Sequence, residues 1–220
     1  MNVYPLLQKM AALHKDEHPS PLELLQLRQE LTDRLLLTLF EVSSTVAEIT
    51  CERDRADQIA DRMDEVDAAR VKRLTLISVL VGGVASIVSG GIGLAGGAST
   101  ASNAADVAGG VFASVFGGTA LFTHSEHDFH HQRNLLKDVW EDPKESTLFS
   151  PSIWRFLHGR HKDGADTPLK DVVNAWRQEG RLGELGSSDE TKRVPLFFGP
   201  GGTYTSADLR ARASMLETLE

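Results

Sequence analysis

The sequence predicts an all-α protein in three parts: a long N-terminal helix, a Gly-rich apolar helical hairpin, and a small C-terminal helical domain. Three observations carry this. Between Pro21 and Gly82 no Gly or Pro interrupts the chain, far longer than an ordinary globular helix runs without a breaker. Of the 23 Lys+Arg and 31 Asp+Glu residues, only Asp106 falls within 74–123, where average composition would put roughly one charged residue in four. Eleven of the 19 glycines lie between Gly82 and Gly118. The boundaries follow as 1–73, 74–123 and 124–220.

The first helix has a start signal. Ser20 can cap it, Pro21 occupies the first turn where its missing N–H costs nothing, and Glu23 completes a capping box. A rough heptad seam follows through Leu24, Leu31, Leu35, Val42, Ile49, Ala56, Ile59, Met63 and Val66, interrupted by Arg28, Thr38, Thr45, Glu52 and Arg70. From Leu22 to Phe40 the apolar face is wide and calls for cover by other helices. From 52 to 73 the chain is charged at 13 of 22 positions, which leaves only a narrow seam to bury. The interruptions favour a helix pair or bundle over a long parallel coiled coil.

Two apolar stretches follow. Residues 74–94 would make a helix of about 31 Å, against a hydrocarbon core of about 30 Å. Residues 107–122 are a shorter second stretch, and the small polar run 98–103 is the turn between them. Small residues recur at four-residue spacing: Gly82, Ser86 and Gly90; Gly93, Gly97 and Ala101; Gly109, Ala113 and Gly117. This small-xxx-small pattern lets helix backbones approach closely in lipid. In water each such glycine costs a helix up to about 1 kcal/mol, whereas lipid enforces helical hydrogen bonding. The hairpin is therefore expected to associate with a membrane and to promote homo-oligomers. The competing expectation is a soluble α protein that buries the hairpin in its core. Asp106 reads as a turn or helix N-terminal residue, where the helix dipole favours it.

After the hairpin a helix is expected from His124 to Trp140, stopped by Asp142-Pro143. Ser150-Pro151 starts a short helix through Leu157, and Thr167-Pro168 starts another, closed by Gly180, Gly183 and Gly186. Residues 194–198 read as extended, 199–202 as a turn, and Thr205 with Asp208 caps a last helix.

One cluster offers chemistry. On the expected helix His124, His127 and His131 share a face with Asp128, and His127 and His131 have the i, i+4 spacing zinc uses. The outline approaches the zinc-protease motif, but Asp stands where the Glu base should be and no third ligand follows, so neither a metal nor catalytic residues are assigned. The other expectation is a pH switch: His124, His127, His130 and His131 would gain charge near about pH 6. The run 199–203 lacks the Lys and spacing of a phosphate loop, and no nucleophile elbow occurs. Cys51 reads as a small packed residue, and a lone cysteine excludes an internal disulfide. Arg155, His158, Arg160, His161 and Lys162 form a local basic patch at a helix end.

The net charge of −8 excludes a general nucleic-acid binder, because no excess of cations is available to neutralise phosphates. No leader-like segment opens the chain, and no cofactor or small-molecule substrate is inferred. Over residues 20–140 the layout resembles, in outline, the hydrophobic-hairpin class of α-helical pore-forming proteins. The expectation is a non-enzymatic, membrane-associating protein, either a hairpin-anchored oligomeric scaffold or a pore former, with the lipid bilayer and further copies of itself as partners. Arg70, Lys72 and Arg73 before the first stretch place both termini on the cytoplasmic side. The alternative is a cytoplasmic helical interaction module.

Overall fold

The computed structural model describes residues 4–14, 20–94, 125–160 and 166–220, and from 78 to 94 the backbone alone. The expected turn at 98–103, Asp106 and the second stretch 107–122 lie outside the described residues. The described chain is mostly helical: α1 (Tyr4–His14), α2 (Pro21–Leu94), α3 (Leu135–Glu141), α4 (Pro151–Leu157), α5 (Pro168–Gln178), α6 (Ser188–Phe198) and α7 (Ser206–Leu219). A small sheet joins them, made of β1 (Glu126–His130) paired with β2 (Gly201–Thr205).

The long helix begins and continues as its residues dictate. Leu24 N–H donates to the Ser20 carbonyl, 3.1 Å, closing the first turn. Glu23 sits in that turn, where the helix dipole favours a carboxylate. Further on, Arg34 pairs with Glu30 one turn back at 2.5 Å. The buried stripe partly follows the expected seam. Ile49, Ala56 and Met63 are buried, joined by Leu27 and Ala60, whereas Leu35, Val42 and Val66 are exposed. At its far end α2 runs without a break through Leu94.

The chain divides into two compact units. The first comprises Met1–Asp57, Phe129–Gly202 and Arg210–Glu220. Its core is aromatic and aliphatic: Leu135, Leu136 and Val139 of α3, Trp176 of α5, Phe197 and Phe198 of α6, and Met215 and Leu216 of α7. Trp140 stacks on Phe198 at 4.4 Å with the rings nearly parallel, and Trp176 Nε1–H donates to the Met215 carbonyl, 3.0 Å. Polar clasps tie α2 to this core. Arg133 pairs with Glu48 at 3.2 Å, Arg53 with Glu220 at 2.5 Å, and the Ser150 and Ser152 hydroxyls donate to Glu41.

The second unit comprises Gln58–Asp128 and Thr203–Leu209. Here Ala60, Met63, Tyr204 and Leu209 are buried. Asp67 of α2 accepts from the Ser125 N–H at 2.9 Å and from its hydroxyl. Thr203 donates to Asp128 at 3.0 Å.

Several expected helix ends are present. Ser150 caps α4 and Thr167 caps α5, each ahead of a proline in the first turn. At the end of α5, Gly180 takes φ +67°. Arg181 N–H reaches the Trp176 carbonyl and Gly180 N–H the Arg177 carbonyl, the paired bonds that close a helix on a left-handed glycine. Thr205 and Asp208 cap α7 reciprocally: Asp208 N–H donates to Thr205 Oγ1 at 3.2 Å and Thr205 N–H to Asp208 Oδ2 at 3.3 Å.

Two expectations in the C-terminal part are corrected. The helix expected from His124 to Trp140 is instead strand β1 followed by the short α3. Between 124 and 134 the only apolar residue is Phe129, too little to build the apolar stripe a helix buries. A strand needs less, and Phe129 alone anchors this one, 1 % exposed and covered by the Arg55 guanidinium 4.8 Å from its ring centre. Residues 194–198, expected to be extended, are the end of α6, which continues through Pro195. Ser187 caps that helix, and burial of Phe197 and Phe198 outweighs the hydrogen bond that Pro195 removes. The expected turn at 199–202 overlaps the start of β2.

Candidate functional site

The apolar end of α2 is the first candidate. Its helix leaves the charged segment 52–73 and enters residues 74–94 without a break. The described side chains at that junction, Val71, Leu76 and Ile77, are 37 %, 58 % and 46 % exposed. Gly82, Ser86, Gly90 and Gly93 all fall within the helix, and positions 82, 86 and 90 return to one side of it because four residues make slightly more than one turn. Gly97, Gly109, Ala113 and Gly117 lie outside the described residues. Among the described residues, no helix is long and apolar enough to cross a membrane.

The histidines do not form the expected helical face. His124 lies outside the described residues. His127 and His130 are exposed on β1, and successive strand residues point to opposite faces. His131 follows the strand, packs edge-on against Phe129 at 5.4 Å, and has Nε2 3.3 Å from the Leu196 carbonyl. Burial pushes its pKa down to about 4, aided by Arg212, against the raising effect of the Leu196 carbonyl. His131 is therefore neutral at the pH where the switch was expected to act. Among the described residues, no group of three or more His, Cys, Asp or Glu side chains could hold a metal ion. Cys51 is exposed rather than packed.

Beside His131 lies a buried polar knot. Arg212 is fully buried and donates to the Phe197 carbonyl at 3.1 Å and to Asn134 Oδ1 at 3.3 Å. Asn134 Nδ2 donates to the carbonyls of Phe197 and Gly199, both at 2.9 Å. The knot satisfies the carbonyls at the end of α6 with side chains from the start of α3 and from α7.

An apolar groove of about 320 Å³ opens between α2 and α4. Val42, Val46 and Ile49 line it from α2, Ile153 and Phe156 from α4, and Leu219 from α7. Phe156 is 70 % exposed. At its margin the Ser152 hydroxyl, with Ser150 assisting, holds the Glu41 carboxyl below its usual pKa. Sequence reasoning missed this feature. The spacing of Phe149, Ile153 and Phe156, four and three residues apart, is the signal that could have found it.

The chain matches no family model, no curated protein and no solved structure.

Proposed function

We propose that this protein is a non-enzymatic, membrane-associating oligomer, anchored through residues 74–123, that acts as a scaffold or α-helical pore former. The observation that carries the reading is the unbroken passage of α2 from a charged segment into 74–94, together with the exposure of Leu76 and Ile77 where that stretch begins. Exposed leucine and isoleucine at the start of an apolar stretch call for an apolar partner, and a bilayer would supply one matched to the length of 74–94. Arg70, Lys72 and Arg73 stand just before the stretch, suited to anionic headgroups on the cytoplasmic side. Small residues at 82, 86 and 90 let neighbouring helices approach inside the bilayer.

The test is flotation of the purified full chain with liposomes that contain anionic lipid, followed by a high-salt and alkaline wash. Retention in the lipid fraction after both washes supports anchoring by the apolar segment. Loss in high salt leaves only headgroup attraction. A chain that stays monodisperse without detergent and does not float is the soluble interaction module instead.

A further inference from the structure

The first half of α2 carries a second apolar face that packing leaves open. Its covered side is marked by Leu27 and Ile49, both buried. Away from that side, Leu22, Leu25, Leu36 and Leu39 follow alternating steps of three and four residues, with Gln29, Thr32 and Ser43 filling the steps between and Val46, half-buried in the groove wall, ending the run. The four leucines are 67 %, 61 %, 45 % and 58 % exposed, and the three polar residues are exposed as well. Alternating steps of three and four are the spacing of a coiled-coil seam.

We propose that this face pairs with the same face of a second copy of the chain, in parallel and in register, over residues 22–47. The proposal deepens the oligomeric part of the reading above and rests on it, but does not depend on a bilayer. The residues flanking the seam identify the partner and its direction. In a parallel pair the residue just before a seam position faces the residue five further along on the other copy. Here that brings Arg28 to Asp33, Leu35 to Phe40 and Val42 to Ala47, charge to opposite charge and apolar to apolar. In an antiparallel pair each flank meets its own kind, and Arg28 no longer faces Asp33. All six flanking residues are exposed. With the four seam leucines, the apolar flanking side chains of two copies offer on the order of 1,000 Å², the scale at which a specific interface begins. Gln29 and Thr32 would each meet their own copy across the seam, where polar residues fix register at some cost in stability.

The test uses the full chain with Cys51→Ser and a single new cysteine, either Leu36→Cys at the seam or Ser44→Cys on another exposed side. Both are oxidised mildly, in buffer and in detergent, and run without reductant. The seam variant is expected to form a disulfide-linked dimer and the Ser44→Cys variant to remain monomeric on the gel. In the Leu36→Cys chain, Arg28→Glu should lower the dimer yield about fivefold, because like charges then oppose on both sides. Adding Asp33→Arg should restore it. These positions are exposed, so unchanged helical circular dichroism is the control for folding. Absence of the dimer at position 36, equal linking at position 44, or no restoration by the charge swap overturns the proposal. A chain that links at position 36 but does not float with liposomes overturns the membrane reading alone.

Discussion

His131 and His158 show how position sets the response of a side chain to pH. His131 is pushed down to about 4 chiefly by burial, so its folded pKa lies below the ordinary value near about 6.5. Its stabilising contribution is complete above about pH 6.5 and is lost as pH falls towards about 4, because only the unfolded chain then takes up the proton. His158 is opposite in sign. Its ring bonds the Trp154 carbonyl at 2.8 Å and Asp142 Oδ1 at 2.6 Å, and these raise its pKa, the Trp154 carbonyl most. That contribution is present below about pH 6.5 and disappears as pH rises through the raised value, and an exposed pair of this kind is worth about 0.2–1 kcal/mol. The melting temperature of the His131→Gln variant should therefore fall less than wild type between pH 7 and pH 4.5, and identical slopes would contradict the assignment. The His158→Gln variant should lose stability relative to wild type at pH 5.5 and converge with it at pH 8.5.

Gly201 supplies a second residue-scale test. It takes φ +101°, and a Cβ there would collide with the Phe129 carbonyl across the sheet. Gly186 takes φ +77° in open space. Gly201→Ala should therefore cost about 1–3 kcal/mol or more, and Gly186→Ala only about 1 kcal/mol. Equal costs in urea unfolding would mean that the contact with Phe129 is not tight.

At the scale of elements, legibility followed the kind of signal. The long helix could be read because its evidence is cumulative: sixty residues without a breaker, behind a cap and a proline. The starts of α4, α5 and α7 could be read because a cap is a local device made by two or three residues. Strand β1 could not, since four histidines in eight residues imitate a helical metal face and the strand's one apolar residue, Phe129, is too sparse a pattern. The end of α6 was hidden by Pro195, whose local penalty is overruled by burial of Phe197 and Phe198 on distant residues. The groove between α2 and α4 was legible in one wall only, from the spacing of Phe149, Ile153 and Phe156, because its walls come from segments about a hundred residues apart. For α2 itself, the proposed packing of small residues at four-residue spacing predicts a helix contact in detergent or lipid. Gly90→Leu, and Gly97→Leu in the segment beyond, should shift crosslinked oligomers to smaller sizes by holding backbones apart. Oligomers unchanged in both variants would remove those glycines from any contact.

For the whole molecule, the distribution of charge carries more information than the net charge. Acids and bases at ordinary density on both sides of a nearly uncharged segment are the pattern expected of a region placed away from water. Two environments meet that description: lipid, or the interior of a helical protein. They differ in one property that can be read directly, since acyl chains touch the side chain in the first and only protein atoms touch it in the second. The measurement that separates them uses the full chain with Cys51→Ser and Val84→Cys, the new thiol carrying an environment-sensitive fluorophore, mixed with liposomes. The expected result is a blue-shifted emission that quenchers attached to the lipid acyl chains extinguish. A blue-shifted emission untouched by those quenchers, or a water-like emission in the presence of lipid, would contradict the membrane-associating account.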